Sequence, residues 1–214
     1  MTDAFAPLSI ELEETLEQAW LRLARDLTTE QLRAAFRPPV SPSVLETLLT
    51  TPRIERRLVD RVAARLGIPR PKIEDFTSPP ARIVLAGRGA LETAMRMAGA
   101  IRHRAYIAPL ILKSDRAELA AAIGADAFAA AQACVAAAPP PTVEWTRNEI
   151  IAACKRDGPV CMASWLRVLP AGIAAWIAAL MPELSELDVP DYPDGEVIEC
   201  AVLAAAAALR AGHG

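Results

Sequence analysis

Two histidines and four cysteines are the side chains here best suited to nucleophilic, acid–base or metal chemistry. Cys134, Cys154, Cys161 and Cys200 follow one another at spacings of 20, 7 and 39 residues, with no C-x-x-C pair. Only His103 and His213 are available to join them as metal ligands. The pattern reads as buried, reduced thiols in apolar surroundings, and reduced thiols suit a cytosolic address. A Ser–His–acid arrangement would have to use His103, because His213 lies at the chain end. Arg102 and Arg104 flank His103, and their charge would depress its pKa and weaken it as a base. The expectation is a solvated or partner-facing histidine. Gly87-Arg88-Gly89 has no Gly-Lys-Ser/Thr after it and no clear strand before it, so it reads as a turn rather than a phosphate loop. Neighbouring acids at Glu13-Glu14 and Glu74-Asp75 read as solvated surface carboxylates. No catalytic, cofactor or metal residues emerge from these patterns.

Arginine supplies a sharper pattern. Arg53, Arg57, Arg61 and Arg65 recur every four residues, with Arg56 beside them, next to an apolar stripe of Ile54, Leu58, Val62 and Leu66. On a helix, residues four apart share a face, so these guanidinium forks line up. Such a row either faces water or meets carboxylates on a partner protein. An acidic counterpart lies downstream, where no base occurs between Arg167 and Arg210. Residues 183–195 carry Glu183, Glu186, Asp188 and Asp191 between prolines, and read as an exposed acidic loop, a connector or a docking surface. Residues 1–21 hold five acids and no base, 22–104 sixteen bases against eight acids, and 105–214 seven against thirteen. The net charge of -3 predicts no general attraction to nucleic acid or anionic lipid, leaving the basic middle as a local feature.

The elements that would position these residues are helical throughout. Ser41-Pro42, Thr51-Pro52 and Ser78-Pro79 are capping residues followed by proline at the first helical position, with Gly158-Pro159 a weaker case. Thr28-x-x-Gln31 and Thr146-x-x-Glu149 are capping boxes, and Trp145 and Ile150 take the staple positions around the second. Leu12, Leu16, Trp20, Leu23 and Leu27 form another apolar stripe at helical spacing. Helices are predicted near 9–27, 29–36, 42–50, 52–66, 79–86, 90–107, 115–123, 126–137, 147–157, 159–168, 171–181 and 196–210. No stretch alternates apolar and polar residues long enough for a strand, and no internal repeat is visible. The fold class is therefore all-α, an irregular orthogonal bundle of about ten to twelve short helices. It forms one domain over 1–214, divisible into 1–138 and 142–214 at a Pro139–Pro141 spacer. The N-terminus has no secretory pattern, and the uncharged runs 127–143 and 168–182 are too short and too broken by proline to span a bilayer.

Two segments imitate a helix-turn-helix, so a DNA-binding regulator is the alternative reading. Leu58 to Pro69 reads LVDRVAARLGIP, but a recognition helix after Pro71 would be barely two turns long, with Lys72, Glu74 and Asp75 giving it no positive charge. Around Ala120 and Gly124 no base occurs between Arg116 and Arg147. Both look like helix hairpins with glycine in the turn. A small helical enzyme using His103 is a third and weaker class.

Residues 95–132 read MRMAGAIRHRAYIAPLILKSDRAELAAAIGADAFAAAQ, and residues 158–182 read GPVCMASWLRVLPAGIAAWIAALMP. Together they resemble the SctK family of bacterial type III secretion systems, also called OrgA, MxiK, YscK and PscK. The shared features are a small-residue helix around Gly99, a short helix ending at Gly124, and a helix with Asp126 and Phe128. The Leu169-Pro170 break between two apolar helices and the closing Pro182 also fit. The likeness covers roughly residues 85–185, and loosely 41–67; Pro109 and the alanine-rich run 117–138 depart from the pattern. It implies a non-enzymatic adaptor of the cytosolic sorting platform, peripheral to the inner-membrane apparatus. It would link the forkhead-associated domain of the SctD-type ring protein to the SctQ-type pod protein, with no cofactor, nucleic acid or membrane insertion. The family carries no catalytic residues to transfer.

Overall fold

Short-range side-chain bonds start several of the helices. In the computed structural model, which describes residues 6–70, 72–76, 80–110, 112–134 and 143–189, ten α-helices and three 3-10 segments appear and no strand does, among those residues. The helices are α1 (Ala6–Asp26), α2 (Thr29–Ala34), α3 (Pro42–Thr50), α4 (Pro52–Leu66), α5 (Arg88–Arg102), α6 (Arg104–Ile107), α7 (Lys113–Ile123), α8 (Ala125–Ala133), α9 (Arg147–Leu166) and α10 (Ala171–Leu180). Both capping boxes are formed. The Thr28 amide donates to the Gln31 side chain at 2.9 Å, and the Thr146 amide to Glu149 at 2.7 Å. Ser41 caps α3 with Pro42 behind it. Thr51 does not cap α4: its hydroxyl donates back to the Thr47 carbonyl at 2.6 Å, because the same residue must also end α3. Gly67, at φ 69°, closes α4 in the left-handed conformation that glycine adopts without steric cost. The predicted helix at 196–210, the Ser78-Pro79 cap and the Pro139–Pro141 spacer lie outside the described residues.

The chain divides into two compact units, and not at the expected spacer. One comprises residues 1–88 with 169–182, the other 89–168 with 183–214. The reason lies in the packing on either side: α7 and α8, which precede the spacer, pack with each other, and α7 packs on α9, which follows it.

In the first unit, α1 lies against α4. Trp20, Leu23 and Ala24 of α1, Leu27 just after it, and Leu58, Val59, Val62 and Ala63 of α4 are buried, while Leu12, Leu16, Ile54 and Leu66 of the predicted stripes are only half-buried. Helix α10 joins this core from far downstream. Its Trp176 meets Trp20 edge-on at 5.8 Å and Phe76 at 6.3 Å between ring centroids, a favoured aromatic geometry. The last carbonyls of α10, which lack helical partners, accept from Gln31 (Ala179, 2.7 Å) and Arg88 (Leu180, 2.9 Å). The segment expected as a helix at 79–86 is a 3-10 helix, Pro80–Ala86, with Ala81, Ile83, Val84 and Leu85 all buried. Its Leu85 carbonyl accepts from Arg22, outside the helix, which suits the tighter winding.

In the second unit, α9 runs unbroken through Gly158-Pro159, where one helix was expected to end at 157 and another to start at 159. The glycine serves a helix crossing instead. A Cβ on Gly99 of α5 would stand 2.1 Å from the Cys154 carbonyl oxygen, and one on Gly158 would stand 2.5 Å from that of Met95. Neither distance is tolerable, so the two backbones touch only because both residues lack a side chain. The expected helix at 90–107 bends at His103 into α5 and α6. Gly124, at φ 100°, turns the chain between α7 and α8.

Replacing Gly99 by alanine sets two effects against each other. Alanine favours a helix by about 1 kcal/mol, while overpacking a tight contact costs about 1–3 kcal/mol. Backbone atoms form the obstacle and cannot rotate away, so Gly99→Ala is expected to destabilise. Gly89→Ala, with nothing within 4 Å of its added Cβ, should be neutral or stabilising. Urea unfolding of both variants checks the pair, and equal midpoints would refute the close crossing.

Candidate functional site

All five stripe arginines, Arg53, Arg56, Arg57, Arg61 and Arg65, are exposed on α4. The acids of the same helix are engaged by α1: Glu55 pairs with Arg25, and Asp60 accepts from the Trp20 indole at 2.9 Å. Two of the five arginines have intramolecular company. Arg56 stands 3.5 Å from Glu17, and the Arg61 guanidinium sits 6.0 Å from the centre of the Phe36 ring. Arg53, Arg57 and Arg65 meet no acid among the described residues. The helix thus gives its carboxylates partners on α1, although Asp60 stays exposed, and leaves three guanidinium groups for water or a partner.

The acidic segment is more ordered than the expected loop. Pro182–Glu186 forms a 3-10 helix, with Leu184 and Val189 buried and the Val189 carbonyl accepting from Arg167 at 3.0 Å. These anchors hold Glu183, Glu186 and Asp188 on the exposed side. Asp191 lies outside the described residues. The arginine row belongs to the first unit and these acids to the second, so the two form no single site within either.

His103 is the largest correction. It is 8% exposed rather than solvated, and Nε2 lies 2.8 Å from Asp157 Oδ2. A carboxylate only accepts, so the neutral ring carries its proton on Nε2. Arg156 grips the same carboxylate with two N–H groups at 2.7 and 3.1 Å, and Arg102 stands 3.8 Å away. Tyr106 and Trp145 stack at 4.1 Å and 8° beside the histidine ring. The His103 pKa is lowered, as expected, but chiefly by burial; Asp157 opposes that, and Arg102 and Arg156 add to it. Burial works against ionisation of Asp157, yet hydrogen bonds from Arg156 and His103 outweigh it and hold the carboxyl below its usual value. Sequence reasoning missed Asp157. Its signal was a lone acid in register with the buried Ile150, Ala153, Cys154 and Cys161 of α9.

The cluster ties the α5–α6 bend to α9. Cys154, one turn before Asp157, is no nucleophile for it: burial, and then the Asp157 charge, push the thiol up to about 12. No disulfide joins Cys134, Cys154 or Cys161, and Cys134 is only half-buried. No group of three metal-ligating side chains occurs among the described residues, and among them no helix is long and apolar enough to cross a membrane.

Neither DNA-binding imitation has a usable second helix. Among the described residues between Gly67 and Pro80, the one helical segment is the four-residue 3-10 turn Ile73–Phe76, with Phe76 fully buried. Helix α8 exposes Ala125, Ala129 and Ala133, none of which reaches bases or phosphates. Compared with protein families, curated proteins and solved structures, the chain finds no match.

The lowered His103 pKa gives stability a sign with pH. Near pH 7.5 the imidazole is neutral in both folded and unfolded chains. Below the ordinary value of 6.5 the unfolded chain takes up a proton that the folded one resists, so stability falls as pH falls. Asp157, also lowered, adds its loss only below 3.8. The urea midpoint should therefore drop between pH 7.5 and 5.5, and drop less in His103→Gln, which can still donate to Asp157. Parallel curves for the two proteins would count against this assignment.

Proposed function

We propose that this chain is a non-enzymatic adaptor of a bacterial type III secretion sorting platform. It binds the cytosolic forkhead-associated domain of the SctD-type ring protein and the SctQ-type pod protein, at the cytoplasmic face of the inner membrane. The observation that carries a protein-binding role is the α4 surface: Arg53, Arg57 and Arg65 are exposed without an acid, while Glu55 and Asp60 are held by α1. Guanidinium forks in a row match carboxylates on a facing element. The choice of family rests on the resemblance of residues 95–132 and 158–182. Their distinguishing residues have definite places: Gly99 at the helix crossing, Gly124 between α7 and α8, Phe128 buried, and Pro170 at the start of α10.

Affinity capture from a secreting cell tests the reading, with the full chain as bait. Ring and pod proteins should both be recovered. The triple charge reversal Arg53→Glu, Arg57→Glu, Arg65→Glu should cut recovery of one of them at least tenfold with an unchanged far-ultraviolet circular dichroism spectrum. Recovery of neither protein by the wild-type chain would dismiss the adaptor role.

A further inference from the structure

Beside the glycine crossing, α5, α7 and α9 leave a cleft of about 190 Å³. Its wall consists of Met95 and Arg96 from α5, Ala122 and Ile123 from α7, and Cys154, Lys155, Gly158 and Pro159 from α9. The hollow follows from side-chain size. The crossing requires a bare Gly158, and Ala122 of α7 adds only a methyl group to the same wall, so the hollow stays open. Cys154 is buried and protonated at neutral pH, and behaves there as a small apolar group. A cavity of roughly 150 Å³ with apolar walls accepts a benzene-sized molecule, so this cleft has room for one large apolar side chain.

Two further features limit what that side chain belongs to. Pro159 has no N–H, so the Lys155 carbonyl lacks its usual helical donor four residues on, at the wall both residues form. A peptide segment carries backbone N–H groups of the kind this carbonyl lacks. At the rim, Arg96 and Lys155 are exposed. Arg96 is partly engaged, 3.7 Å from Asp126 and donating to Thr93 at 3.0 Å, whereas Lys155 meets no acid among the described residues. The rim therefore favours carboxylates in the occupant and disfavours bases.

We infer that this cleft is a docking site for an acidic linear segment of a partner protein, which inserts one leucine- or phenylalanine-sized side chain while a flanking carboxylate meets Lys155. The proposal leans on the adaptor reading for the existence of a partner, but names a contact distinct from the α4 arginines.

Nuclear magnetic resonance of the full ¹⁵N-labelled chain tests it. The probe is a capped synthetic peptide with one leucine and two acids on either side; the controls carry alanine at the centre or lysine at the flanks. Saturable amide shifts centred on Ala122, Ile123 and Gly158 are expected for the first peptide, with at least tenfold weaker binding for each control. Ala122→Phe, which fills the cleft, and Lys155→Glu, which reverses the rim, should each abolish them. Should the first fail to fold, the exposed Lys155→Glu decides. Flat spectra at millimolar peptide, or equal binding of the lysine-flanked control, overturn the proposal. So do shifts at those amides on simple dilution, which would make a second copy of the chain the occupant. Saturable peptide binding without capture of ring and pod proteins sinks the adaptor role alone, and capture with a flat titration sinks the cleft alone.

Discussion

The close approach of α5 and α9 organises the second unit, and it depends on two missing side chains. Gly99 and Gly158 act reciprocally, each lying under a carbonyl of the opposite helix. Several other features follow from this contact by helical geometry. His103 lies one turn beyond Gly99, and Asp157 is next to Gly158, so a crossing at the glycines delivers the two side chains to each other at 2.8 Å. In the other direction the same contact leaves the hollow faced by Met95 and Ala122. A buried polar pair and an apolar cleft are thus two consequences of one packing constraint.

That constraint also explains a tolerated irregularity. Proline inside a helix removes one hydrogen bond and commonly bends or ends it, at a cost of about 3 kcal/mol. Helix α9 nevertheless continues through Pro159. Ile150, Ala153, Cys154, Cys161, Met162 and Trp165, on both sides of the proline, are buried, and a break at 158 would separate them from the surfaces they cover. Burial of several large side chains at about 1.5–3 kcal/mol each outweighs the local loss.

The first unit depends on a different interaction, an aromatic cluster. Trp20, Phe76 and Trp176 meet at right angles and bring together α1, the short segment after α4, and the late helix α10. Around it the charges are sorted. Acids of α4 turn to α1, where Asp60 also satisfies the Trp20 indole N–H. The arginines left outside do little for stability, since exposed ion pairs contribute at most about 1 kcal/mol. They remain exposed on α4, a row of like charge at helical spacing.

Features whose partners lie within a turn of one another were legible in the residues alone. Both capping boxes, the Ser41 cap and the α4 arginine row are of this kind, because spacings of three and four decide them. The all-helical class follows in the same way, from apolar residues repeating at helical intervals. Helix starts marked by proline were less secure: Thr51 turned its hydroxyl backwards and Gly158-Pro159 started nothing. There the local signal was real, but a second demand on the same residue prevailed. The pairing of His103 with Asp157 spans 54 residues, and Trp176 reaches Trp20 across a still longer separation. No periodicity along the chain encodes which two surfaces will meet. Composition and spacing determined the all-helical class and the caps and rows whose partners lie within a turn. Only the tertiary structure decided which buried faces touch, because a glycine reads alike as a stop or as a contact until another backbone lies against it.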